Sequence, residues 1–210
     1  TGNAAGKSYA TTTSYYLKKF CNPNQILKAR SGVAVTTSPH GWLTFRMGAM
    51  YLNYAEALYQ YFKASGNANA ADASGSVTYK ETDGTEKTIS IPASQTAAKM
   101  ASMTRTRSGM PEFAIGMSND EFWAKYKNER RVELAFEGHR FYDVRRWMED
   151  GDKFMNIHRL EITKNDDGTF TYNKVAVTRG NGQWQTKWNL FPFSQTEIRK
   201  SGNAIVQNEG

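Results

Sequence analysis

Cysteine, histidine and proline are scarce in this chain, which has one, three and five of them in 210 residues. A lone cysteine excludes an internal disulfide. Cys21 follows Lys18-Lys19-Phe20, not the apolar run that precedes a lipid-bearing cysteine, so a partly buried thiol is expected there. Scattered histidines and one cysteine supply no set of three or four zinc ligands, so no metal and no cofactor is expected. No run of 18 apolar residues occurs, so no segment is expected to cross a bilayer. A basic stripe is missing too. The net charge is +7, but Lys and Arg are dispersed, whereas nucleic-acid binders gather them on one surface. The chain opens Thr-Gly-Asn without an initiator methionine or a signal peptide, as expected of a processed product or a piece of something longer.

Aromatic residues are plentiful at 13%, and a mean hydropathy of −0.67 points to a soluble body with large polar loops. Residues 1–40 are rich in Ser, Thr, Gly and Asn, with a short strand expected over 14–20. Pro39 and Gly41 mark a boundary. Met47, Met50, Tyr51, Tyr54, Leu58, Tyr61 and Phe62 recur at three- and four-residue steps, predicting a helix over 43–62 with that stripe in the core. Ser65-Gly66-Asn67 closes it. Val77-Thr78-Tyr79 and Thr88-Ile89-Ser90-Ile91 flank Asp83-Gly84 as a hairpin. A short helix follows from Pro92 to Met103. A second hairpin pairs Leu160 and Ile162 with Phe170, Tyr172, Val175 and Val177 across Asp166-Asp167-Gly168.

Between the hairpins lies a segment dense in both charge and aromatics, opened by the capping-box spacing of Ser118 and Glu121. Phe122, Trp123, Tyr126, Val132, Leu134, Ala135 and Phe136 spread around more than one helical face, so the helix is expected to be covered on several sides. Glu129, Glu133 and Glu137 follow at four-residue steps. Their like charges would stack unless Arg130, Arg131 or Arg140 intervenes. Gly138 permits a bend before a second helix over 139–148. His139 and Asp143 could share a helical face as metal ligands, but no third ligand accompanies them and the flanking arginines repel a cation. Paired carboxylates of a hydrolase would have to face one cleft about 5–10 Å apart, and these are interleaved with arginines. A structural role is expected instead, and no catalytic residue is identified.

Four segments, in order, carry a resemblance. They are Phe45 to Ala57 (FRMGAMYLNYAEA, including Glu56), Arg105-Thr106-Arg107-Ser108-Gly109-Met110-Pro111, Glu129 to Trp147, and Leu190-Phe191-Pro192-Phe193-Ser194-Gln195-Thr196-Glu197-Ile198 followed by Gln207-Asn208. Together they resemble the C-terminal half of the SusD/RagB family, the surface nutrient-binding lipoproteins of Bacteroidetes, over roughly residues 15–210. The third segment is nearly the family signature, through Glu129, Arg130, Arg131, Glu133, Glu137, Gly138, Arg140, Asp143, Arg145 and Arg146. Gly48-Ala49 stands where Ala-Glu is usual, and Phe193 where proline is usual.

The resemblance implies a mainly α fold: a tetratricopeptide-like helical core of SusD type with long loops and two β-hairpin excursions. The helical core is expected over about 42–150 and a hairpin and loop region over about 151–210. The family's upstream helical repeats and lipid anchor are expected to be absent. It also implies a binding protein, not an enzyme. Such a protein takes oligosaccharide or polysaccharide at the outer membrane surface and partners a SusC-like TonB-dependent transporter. Membrane contact would come only through the absent N-terminal lipid, and nucleic acid is no partner. A tetratricopeptide-like protein-interaction or peptide-binding module is the alternative. Sugar faces stack on aromatic side chains, and two tryptophans stand in loop settings suited to this: Trp42 after Pro39-His40-Gly41, and Trp184 in Asn-Gly-Gln-Trp-Gln-Thr. Trp123, Trp147 and Trp188 are expected to pack in the core or between helices, and His40 and His158 to be ordinary loop or surface residues.

Overall fold

A computed structural model describes Tyr15 and residues 17–20, 43–149, 157–177 and 184–208. Five α-helices and two antiparallel hairpins occur among them. Contacts divide the chain into two compact units, one over Trp42–Arg140 and one containing Phe141–Gly210. The described residues of the 14–20 segment are coil and turn, not strand.

In the first unit, helix α1 (Met47–Ala64) begins four residues later than periodicity suggests. Arg46 is extended (φ −149°, ψ 158°) and its carbonyl accepts the Ala49 and Met50 amides. Its side chain is committed elsewhere, as described below. The buried face of α1 is Ala49, Leu52, Ala55, Leu58, Tyr59 and Phe62 with Glu56, whereas Met47 and Met50 of the expected stripe are exposed. Alanines explain the difference. Helix α2 (Ala97–Arg107) buries Ala97, Ala98 and Ala101 and packs on α1, since small side chains let two helices approach closely. The Thr96 hydroxyl caps α2 by accepting the Lys99 amide.

Helix α3 (Asn119–Glu133) is capped by Ser118, whose hydroxyl accepts the Glu121 amide at 3.2 Å. It buries Phe122, Tyr126 and Arg130 on one face. Trp123 stacks between Tyr59 and Tyr126, 5.3 Å from each ring, and Phe122 lies 5.0 Å from Tyr59. The multi-sided covering expected of this helix is not found. Val132 and Phe136 are 62% and 64% exposed, lying away from the residues that meet α1 and α2, namely Phe122, Trp123, Tyr126, Glu129 and Arg130. The helix stops at Leu134, and Gly138 (φ 81°) supplies the bend before α4 (His139–Arg146).

Strands β1 (Gly75–Lys80) and β2 (Glu86–Ile91) pair with Val77 opposite Ile89. Strands β3 (His158–Lys164) and β4 (Phe170–Ala176) pair with Ile162 opposite Tyr172. The second unit continues through a 3-10 turn (Thr186–Asn189) to helix α5 (Gln195–Lys200). Ser194 caps that helix by accepting the Thr196 amide.

Candidate functional site

The charged motif is bound together by partners from distant segments. Arg46 donates to Glu137 through Nε and NH2, both at 2.8 Å, and to Glu133 Oε1 at 2.5 Å. A further bond runs from Arg46 NH2 to the Glu133 carbonyl at 2.6 Å. Bonding to Glu137, then to Glu133, raises the Arg46 pKa against the opposing effect of burial. Arg107 reaches both Glu133 oxygens at 3.0 and 3.1 Å. Arg105 bonds Glu129 Oε2 at 2.9 Å and the Pro111 carbonyl at 2.7 Å, while Thr104 donates to Glu129 Oε1 at 3.0 Å. The first three sequence motifs are thus fastened to one another. Glu133 is reached from outside its own segment by both Arg46 and Arg107.

Buried Arg130 bonds Asn53 Oδ1 at 2.7 Å, and exposed Arg131 bonds Asn128. The Tyr126 hydroxyl is 2.8 Å from the Leu52 carbonyl and 3.0 Å from Glu56 Oε2. Burial, reinforced by Glu56, pushes its pKa well above the ordinary tyrosine value. Asp143 is buried and accepts from Arg146 at 2.9 Å, and Arg140 is half-buried at the start of α4. Guanidinium and hydroxyl donors occupy these carboxylates, so the cluster fastens segments together. Among the described residues no group of three or more His, Cys, Asp and Glu side chains could hold a metal ion. No helix there is long and apolar enough to cross a membrane.

A pocket of about 590 Å³ in the first unit is lined by Arg105, Phe113, Lys125 and Asn128, among others. Its charges are matched internally. Arg105 holds Glu129, Lys125 holds Glu121 at 2.7 Å, and Glu112 holds Lys99 at 2.6 Å.

The second unit contains a pocket of different character, about 380 Å³, lined by Arg145, Lys187, Trp188, Leu190, Phe191, Pro192, Gln207 and Asn208. The Arg145 guanidinium lies 3.6 Å from the Phe141 ring centre, 5.1 Å from that of Trp184 and 5.7 Å from that of Phe191. Its NH1 donates to the Phe141 carbonyl at 2.9 Å. Trp184 and Trp188 meet edge to face at 5.7 Å. Phe191 (58% exposed) is 6.0 Å from Phe141 and 6.5 Å from Tyr142. The closing Gln-Asn pair fixes the apolar rim. Gln207 bonds the Phe193 amide at 2.8 Å and carbonyl at 3.0 Å, and Asn208 Nδ2 bonds the Phe191 carbonyl at 2.6 Å.

Of the two tryptophans singled out from sequence, Trp42 lies outside the described residues. Trp184 is half-buried and backs this pocket through Arg145 and Trp188 without lining it. Trp188, expected to be packed, is 38% exposed and forms part of the wall. The available signal was its i, i+4 spacing from Trp184 in a polar stretch. Trp123 and Trp147 are half-buried, as is His158 within β3.

No protein of curated function matches the sequence. Among solved structures, the chain is similar to a SusD-like protein from Bacteroides fragilis NCTC 9343, with 26% sequence identity and a TM-score of 0.52. The matched region covers 80% of this chain and 26% of that one, so the chain spans about a quarter of that relative's length. The model of the SusD family matches residues 1–210. With motifs, fold and both comparisons in agreement, this chain belongs to the SusD family.

Proposed function

We propose that this chain is part of a glycan-binding protein for nutrient uptake, displayed on the outer membrane as a surface lipoprotein. It delivers oligosaccharide to a SusC-like TonB-dependent transporter and binds its ligand without cleaving it. Family membership over the whole chain carries the proposal. The pocket of the second unit supports it. Sugar rings present C–H faces that lie against indole and phenyl rings, and Trp188 and Phe191 offer such faces beside the amides of Gln207 and Asn208. Trp184 contributes by holding Trp188. Native affinity electrophoresis through gels cast with plant, mucin and microbial polysaccharides tests it. Retardation by at least one polymer is expected. Equal mobility of the folded chain in every gel contradicts glycan binding by these residues.

A second reading, a protein- or peptide-binding surface, is favoured by apolar exposure on the first unit. Arg46 joins Glu133 and Glu137 and so brings Phe45 and Met47 to the same end as Val132 and Phe136. All four are exposed. Such a face suits contact with another polypeptide.

A further inference from the structure

The geometry points to an acidic oligosaccharide, one bearing carboxylates on its pyranose rings, as the occupant of the Arg145–Lys187 pocket. This inference rests on the glycan-binding proposal and narrows it. The pocket has two cations, and none of its lining residues is Asp or Glu. Neither Arg145 nor Lys187 has a carboxylate partner among the described residues, in contrast to Arg46, Arg105 and Arg107.

The stacking of Arg145 matters as much as its charge. The Arg145 guanidinium carbon lies 3.6 Å from the Phe141 ring centre, a separation at which a guanidinium stacks on an aromatic face, and stacking leaves its in-plane N–H groups at the edge. NH1 spends one donor on the Phe141 carbonyl, and Nε and NH2 have no partner among the described residues. That edge has the shape that grips a carboxylate with two parallel hydrogen bonds. Lys187 adds a second positive charge on the same pocket, as suits a polymer with a charge on successive rings. Trp188 and Phe191 supply apolar faces for the ring carbons. Asn208 Oδ1, which accepts no bond from the described residues, faces no internal competition for a sugar hydroxyl. A neutral glycan would leave both cations without a counter-charge, and an apolar ligand would bury them at a cost.

The test is titration calorimetry of the full chain against polygalacturonate, alginate and hyaluronan. Each is run beside its carboxyl-reduced form, which keeps the backbone and removes the charge. Poly-glutamate and dextran sulfate serve as charge controls. At least one acidic polysaccharide should bind about tenfold or more tighter than its reduced form, consistent with loss of a charge-assisted bidentate contact. Lys187→Gln, at an exposed side chain, should weaken that binding several-fold with an unchanged circular dichroism spectrum. Arg145→Gln should weaken it further. Equal affinity for acidic and reduced forms, lost in Trp188→Ala, overturns the acidic preference and leaves glycan binding standing. Binding of poly-glutamate alone overturns both. Dextran sulfate binding as tight as the best carboxylated polymer, or no binding by the folded chain, overturns the inference.

Discussion

Arg46 holds two carboxylates that lie 87 and 91 positions away along the chain. The Glu137 side chain is 3% exposed and that of Arg46 21%, so removing the guanidinium takes two charge-assisted hydrogen bonds from a buried carboxylate. Arg46→Met should cost about 3 kcal/mol, the lower end of the range for a broken buried pair, because Arg46 retains some exposure. Arg107 also bonds Glu133, but its side chain is 64% exposed, so Arg107→Met should cost less than about 1 kcal/mol. Urea midpoints of the two variants measure the contrast, and equal losses would contradict it. Gly48 belongs to the same cluster. A methyl there would lie 2.5 Å from Arg46 NH1 and 2.8 Å from Glu133 Oε1. Alanine is otherwise favoured over glycine inside a helix by about 1 kcal/mol. Gly48→Ala should therefore destabilise the wild-type chain more than the Arg46→Met variant, where only the Glu133 contact remains, and an equal loss in both backgrounds would contradict crowding by Arg46.

The two hairpins turn in the same way. In each, an aspartate side chain accepts the amide of the threonine two residues on, Asp83 from Thr85 at 2.8 Å and Asp167 from Thr169 at 2.9 Å. The intervening glycines have φ of 86° and 83°, the left-handed region that glycine enters without strain. For Asp83 the Thr85 amide is the main cause of a lowered pKa, and for Asp167 it is the Thr169 hydroxyl followed by its amide. A folded pKa below the unfolded one means the contribution is present above the unfolded carboxylate value and disappears as pH falls through the folded one. Carboxyl carbon shifts in an NMR titration should show both aspartates titrating below ordinary exposed aspartates, and Thr169→Val should return Asp167 towards the usual value more than Thr85→Val returns Asp83, whose leading partner, a backbone amide, remains.

Asp-Gly between β-forming runs announced these turns, and the three- and four-residue spacing announced α1. Both signals are local. The charged cluster was legible only in part. Glu129, Glu133 and Glu137 stood out, but Arg46, Arg105 and Arg107 lie on other elements and no local pattern pairs them. The exposure of Val132 and Phe136 was likewise hidden, because amphipathicity says which residues are apolar and not which face finds a partner. Trp184 was flagged for its polar neighbours. Trp188 was missed, since the pocket is assembled from Arg145, residues 187–192 and residues 207–208, which only folding brings together.

At the scale of the molecule, the two units differ in how they use charge. The first matches its pocket and motif charges with internal partners and leaves apolar side chains such as Phe45 (79% exposed) at its surface. The second leaves Arg145 and Lys187 facing a pocket with aromatic walls. A ligand that lies on Trp188 should lose its hold when the indole is removed, while the fold, whose fully buried side chains lie elsewhere, should persist, as an unchanged circular dichroism spectrum would show. The most direct measurement is native affinity electrophoresis of wild type and Trp188→Ala side by side in gels with and without each polysaccharide. Retardation of the wild type by at least one polymer, largely lost in Trp188→Ala, is the predicted result. Equal retardation of both proteins, or free migration of both in every gel, would contradict a glycan site in the second unit.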